Sequence, residues 1–142
     1  MRFVFLLVVL LGGCATPPSP EQKPEPPPVA PAPPAQKETV AVAGLMDSAR
    51  AESAAGNHAS AAASLERALR IEPRNPRLWH ELARVRMKQG QFAQAESVAA
   101  RSNSWAGDDK GLRAENWRLI AQAREARGDA EGAKAALEQV NR

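Results

Sequence analysis

Apolar residues divide the chain into three stretches. Phe3 to Leu11 is an unbroken apolar run, too short to cross a bilayer, which takes about 20 apolar residues. Large apolar side chains then almost vanish from Thr16 to Lys37. Beyond Val40 they return at helical spacing. Leu45, Ser48 and Ala49 precede Gly56; Trp79, Leu82 and Ala83 precede Gly90; Trp117, Ile120 and Ala121 precede Gly128. Apolar or small residues at i, i+3 and i+4 mark the buried face of a helix. After each glycine the stripe resumes, as Ala61, Leu65 and Ala68, then Phe92 and Ala95, then Ala133, Leu137 and Val140. The pattern predicts helix, turn, helix in each copy, with the glycine supplying the left-handed residue that ends the first helix.

The copies are spaced as a repeat. Gly56-Asn57-His58 aligns with Gly90-Gln91-Phe92 one period later, and Gly128-Asp129-Ala130 follows Gly90 at a longer interval. The excess in the second interval predicts about four extra residues around Asn103 to Lys110, with Trp105 inside that insertion and outside the repeat pattern. Asp108 and Asp109 are expected to cap the helix that follows.

Period and residues together resemble the tetratricopeptide repeat, whose unit of about 34 residues carries a Trp or Leu, Leu-Gly/Ala, Gly-x-Tyr/Phe, Ala, an apolar residue, Ala and Pro. Copy one ends on Ile71-Glu72-Pro73, where the family has its proline. Copy two starts at Pro76 and holds Trp79, Leu82-Ala83, Gly90, Phe92 and Ala95; copy three holds Trp117, Ile120-Ala121, Gly128, Ala133, Leu137 and Val140. The resemblance implies an all-α fold: three helix-turn-helix repeats in a short right-handed solenoid, at about 42–75, 76–109 with an insertion to 113, and 114–142. Ser48 and Glu52 are polar where the family often has apolar residues. No separate capping helix is expected after copy three, although repeat arrays usually need one.

The amino-terminal third reads as an address and a spacer. Met1-Arg2 is a minimal basic region, Phe3 to Leu11 the apolar core of a secretory signal, and Leu11-Gly12-Gly13-Cys14 resembles the bacterial lipobox. The expectation is a signal peptide over 1–13 and an acylated Cys14, the only cysteine, as the first mature residue; an ordinary signal peptide with a chance cysteine is the alternative. Several acyl chains on one cysteine anchor a protein durably without a transmembrane helix. Ala15 stands where an Asp commonly retains such lipoproteins in the inner membrane, so the expected location is the outer membrane, facing the periplasm. Residues 14–41 form the linker. Ten of the twelve prolines fall between Thr16 and Lys37, a composition that cannot offset the entropy of ordering and leaves a disordered, stiffened tether. At about 3.1 Å per residue the stretch from Ala15 to Thr39, if straight, reaches on the order of 75 Å. A ligand for a proline-binding domain is the competing reading.

Charge and chemistry narrow the function. Val40 to Arg142 holds sixteen Lys and Arg against thirteen Asp and Glu, and the whole chain carries a net charge of +3. There is no dense basic cluster interleaved with aromatics, which argues against nucleic acid. The chain has two histidines and no tyrosine. His58 takes a position that the repeat family fills with an aromatic. His80 has no carboxylate and serine arrangement and no second histidine at ligand spacing. The expectation is a non-enzyme with no metal and no cofactor.

In the repeat family the first helix of each pair lines a groove that recognises a protein partner. The positions that the resemblance carries over are Met46 and Arg50, then Arg77, His80, Arg84 and Lys88, then Glu115, Arg118 and Gln122. The candidate partner-binding residues are Arg50, Arg77, His80, Arg84, Lys88 and Arg118, with Trp105 as a separate anchor or as a side chain folded back over copies two and three. A mostly basic groove suits carboxylates of an extended partner segment. The competing reading is a solvated face whose charges pair with Asp47, Glu81 and Glu125. Met46 and Arg50 replace the Lys and Asn of the family's clamp for terminal carboxylates, so that specificity is not supported.

Lipobox, proline-rich spacer and short repeat head together resemble, in architecture, the LpoP-type activators of class A penicillin-binding proteins, bifunctional peptidoglycan synthases of the inner membrane. The resemblance implies an envelope protein as partner. A pilotin-like lipoprotein or a scaffold for outer-membrane, pilus or secretion assembly is the alternative.

Overall fold

The computed structural model describes residues 39–141. Cys14, the signal segment and the proline-rich stretch lie outside the described residues. Six helices run in order: α1 (Val40–Ala54), α2 (His58–Ile71), α3 (Pro76–Lys88), α4 (Phe92–Trp105), α5 (Lys110–Ala126) and α6 (Ala130–Glu138), closed by a single 3-10 turn at Gln139–Asn141. Each helix packs on its neighbours in sequence, and α3 also touches α5. The result is an all-α solenoid of three helix-turn-helix pairs.

Local chemistry sets the boundaries. The side chain of Thr39 accepts from Val42 N at 3.3 Å and that of Asn75 from Arg77 N at 3.0 Å, with Pro76 at the first position of α3, where its missing N–H costs nothing. Asp109, and not Asp108, caps α5 through Leu112 N at 3.0 Å. Asp129 does the same for α6 through Gly132 N at 2.8 Å. The first helices of the pairs end at Gly56, Gly90 and Gly128, whose φ values of +82°, +73° and +81° lie in the left-handed region.

The extra length of the third copy is not a loop insertion. The connections Glu72–Asn75 and Ala106–Asp109 match in length, whereas α5 has 17 residues against 13 in α3. The addition is one more helical turn at the start of α5. At about 3.6 residues per turn, four residues nearly restore the orientation of each face, so the stripe beyond it still meets its neighbours. Trp105 therefore sits on the last residue of α4, at the position that Ile71 holds on α2.

Two apolar cores hold the pairs together. The first joins α1, α2 and α3 through Val42, Met46, Ala49, Ala61, Leu65, Ala68, Leu78, Leu82 and Val85. Trp79 is half-buried against it and donates its indole N–H to Pro73 O at 2.8 Å, with the Arg101 guanidinium 5.2 Å from its ring centre. The second core, from α3 to α6, is built mostly from alanine: Ala83, Ala95, Ala99, Ala121, Ala133 and Ala136 around Leu119 and Ile120. Small side chains let these helices approach closely and also bury less apolar area than the first core.

Three expectations about the faces are corrected. On α1 the buried stripe is Val42, Met46 and Ala49; Ser48 is exposed and Leu45 only half-buried. Met46 is 5% exposed, a core side chain whose edge touches the groove and not a residue presented to a partner. Leu137 is 51% exposed, because α6 turns Ala133 and Ala136 inward and leaves its outer side uncovered among the described residues. Val140, in the terminal turn, is half-buried and lies beside Ala114 of α5.

Candidate protein-binding groove

The first helices of the three pairs share one surface. Between α1 and α3 lies a depression of about 300 Å³, floored by Met46, Ala49, Leu65 and Val85 and rimmed by Arg50, Ser53, Glu81, Arg84 and Lys88. Between α3 and α5 a wider one of about 430 Å³ has Met87 and Leu119 among His80, Arg84, Lys88, Glu115, Arg118 and Gln122. Arg84 and Lys88 line both, so the two halves form one groove.

Its first half is internally matched. Glu81 accepts from Arg84 at 3.3 Å and lies 3.7 Å from Arg50, which also meets Asp47 at 3.5 Å. Lys88 donates to Ser53 Oγ at 2.8 Å, tying α3 to α1. The second half is less neutralised: Arg118 and Lys88 form no ion pair among the described residues, and neither does Glu125. Four cations, Arg50, Arg84, Lys88 and Arg118, line the groove beside two carboxylates, Glu81 and Glu115, with Asp47 pairing Arg50 from outside it.

His80 is not isolated, as its sequence neighbours imply. Its Nδ1 lies 2.8 Å from Asn116 Oδ1, and its Nε2 lies 3.7 Å from Glu115 Oε2. Asn116 is fully buried and donates Nδ2 to Ser102 Oγ at 2.7 Å and to Asn103 Oδ1 at 2.9 Å; Ser102 donates in turn to Pro76 O at 2.8 Å. With both amide hydrogens committed, Asn116 offers only its oxygen to the ring, so Nδ1 carries the hydrogen and the neutral imidazole presents a lone pair at Nε2. Among the described residues no hydroxyl or thiol is hydrogen-bonded to Nε2. Among the described residues no cluster of three metal-ligating side chains occurs.

Two candidates lie elsewhere. Arg77 is absent from both depressions and pairs with Asp109 at 3.5 Å, the residue that caps α5. Trp105 is 39% exposed and stacks under Arg74, whose guanidinium lies 5.2 Å from its ring centre. Arg74 belongs to the α2–α3 connection, so this contact ties the end of α4 to the first repeat junction.

A family model for the tetratricopeptide repeat matches residues 53–114. The globular C-terminal domain of Pseudomonas aeruginosa LpoP is 44% identical over 75% of this chain and 100% of that domain, with a TM-score of 0.72. The chain belongs to the LpoP family. The tetratricopeptide domain of Sgt2 from Aspergillus fumigatus is 26% identical over 77% of this chain and 70% of that one, with a TM-score of 0.66. No curated protein sequence matches.

Within this LpoP-family head, the groove gathers five of the seven candidates, Arg50, His80, Arg84, Lys88 and Arg118, and excludes Arg77 and Trp105. Sequence reasoning missed Asn116, Ser102 and Asn103. One signal was available: Asn116 falls on the apolar face of α5, one residue before Trp117, where a polar side chain needs a partner. The head is a tetratricopeptide scaffold for protein interaction.

Proposed function

We propose that this protein is a non-catalytic lipoprotein that, from the outer membrane, binds and activates a class A penicillin-binding protein through the face shared by α1, α3 and α5. The observation that carries the reading is the 44% identity to the globular domain of LpoP over the whole of that domain. Cys14 and Ala15 support an outer-membrane anchor, and the proline-rich tether supports reach across the wall toward an enzyme held in the other membrane. A groove with a basic excess among its lining residues, in which no hydroxyl or thiol among the described residues is hydrogen-bonded to His80 Nε2, supports a binding role.

Crosslinked capture from envelope membranes with the intact lipoprotein tests the partner. A class A penicillin-binding protein should be recovered, and its glycan polymerisation should rise when the purified lipoprotein is added. Arg118→Glu should lower capture by more than Arg67→Glu, an exposed cation of α2 away from the groove. Recovery of pilus or secretion components alone, or equal effects of the two reversals, overturns the reading.

A further inference from the structure

We propose that the α3–α5 half of the groove is a two-pole site: Glu115 and the His80 Nε2 lone pair take an ammonium or guanidinium group, while Lys88 and Arg118 take a carboxylate. The partner segment would then carry a basic and an acidic side chain in tandem. This rests on the groove being the protein-binding surface.

The acceptor pole follows from the buried network. Asn116 holds the ring hydrogen on Nδ1, so when the ring is neutral its groove-facing nitrogen accepts. Glu115 Oε2 lies 3.7 Å from it. A group with several N–H bonds can sit about 2.9 Å from both acceptors at once. His80 is largely buried, so its acceptor direction is fixed, whereas the Glu115 side chain is 60% exposed and free to close on a ligand. Met87 and Leu119 offer apolar surface for the methylenes of an incoming lysine.

The donor pole is set by what is left unmatched. Arg84 is held by Glu81, while Lys88 uses one of its three hydrogens on Ser53 and Arg118 has no ion pair among the described residues. Lys88 follows His80 by eight positions on α3, about 12 Å along the axis, and Arg118 follows Glu115 by three on α5, about 4.5 Å. Side chains three to eight positions apart on a helix span that range. A purely acidic segment would bring a carboxylate against Glu115, and a purely basic one would oppose Arg118 and Lys88.

The test uses the full chain and three alanine-based peptides of equal length, carrying Lys and Glu four positions apart, Lys alone, or Glu alone. In the neutral ring, nitrogen-15 spectra of the imidazole should place the hydrogen of His80 on Nδ1 and show Nε2 shifted by both Lys-bearing peptides. Glu115→Gln should lower affinity for the Lys–Glu peptide about threefold, the size expected of a half-exposed charge pair, without weakening the Glu-only peptide. A hydrogen on Nε2 in the neutral ring, or equal affinity of Glu115→Gln and the parent for the Lys–Glu peptide, overturns the two-pole site. If Arg118→Glu still weakens the acidic peptides in that case, the groove reading stands without it. If no peptide responds to either substitution, both fall.

Discussion

The imidazole of His80 on α3 and the carboxamide of Asn116 on α5 meet at 2.8 Å, and through Asn116 the groove surface is joined to buried polar groups of α4. Asn116 makes three hydrogen bonds from a site with no solvent access. Removing it takes one partner each from Ser102 Oγ, Asn103 Oδ1 and His80 Nδ1. Asn116→Ala is expected to destabilise the fold by about 2–4 kcal/mol in urea unfolding. Glu125→Gln, on an exposed turn of the same helix, should stay within about 0.5 kcal/mol.

Glycine-to-alanine substitutions should split by sign. Gly90 has φ +73° with no atom within 4 Å of an added Cβ, so only backbone strain opposes alanine there. Gly90→Ala should cost about 1–2 kcal/mol. Gly44 lies inside α1 with equally open space and no left-handed φ, and Gly44→Ala should stabilise by about 0.5–1 kcal/mol. Thermal unfolding of the two variants measures the split.

Two leucines at matching repeat positions should behave differently. Leu65 on α2 is 1% exposed and Leu137 on α6 is 51% exposed. Leu65→Ala should lose about 2–5 kcal/mol. Leu137→Ala should lose less than about 1 kcal/mol by the same denaturant titration.

The tether can be tested apart from the head. Deleting Pro17 to Pro34 should leave capture of the partner from detergent extracts unchanged while abolishing its activation in cells. Activation in cells with the tether deleted would count against reach across the wall. Cys14→Ala should move the protein out of the outer-membrane fraction on sedimentation, since the described helices include none long and apolar enough to cross a membrane.

Much of the fold was legible because its determinants are local. The glycines at 56, 90 and 128 end helices by their own backbone freedom, and Asn75-Pro76 and Asp109 begin them through neighbours two or three positions away. The site was less legible. Arg77 and Arg84 look equivalent in the one-dimensional pattern, yet the cap residue Asp109 holds Arg77 while Arg84 enters the groove. The long interval from Gly90 to Gly128 showed that the third copy was extended, but a loop and an extra helical turn have the same length in sequence. Only the packing of α5 against α4 reveals the turn.

By itself, the sequence determined three helix-turn-helix units, their turns and most of the stripe that each helix buries, since periodicity and capping act over a few residues. Tertiary structure decided which polar groups meet: His80 with Asn116 and Glu115, Glu81 between Arg50 and Arg84, Trp105 beneath Arg74. Each of those contacts depends on how far one helix is rotated and shifted against another. That rotation is set by the sum of core contacts across helices, which no window along a single helix contains.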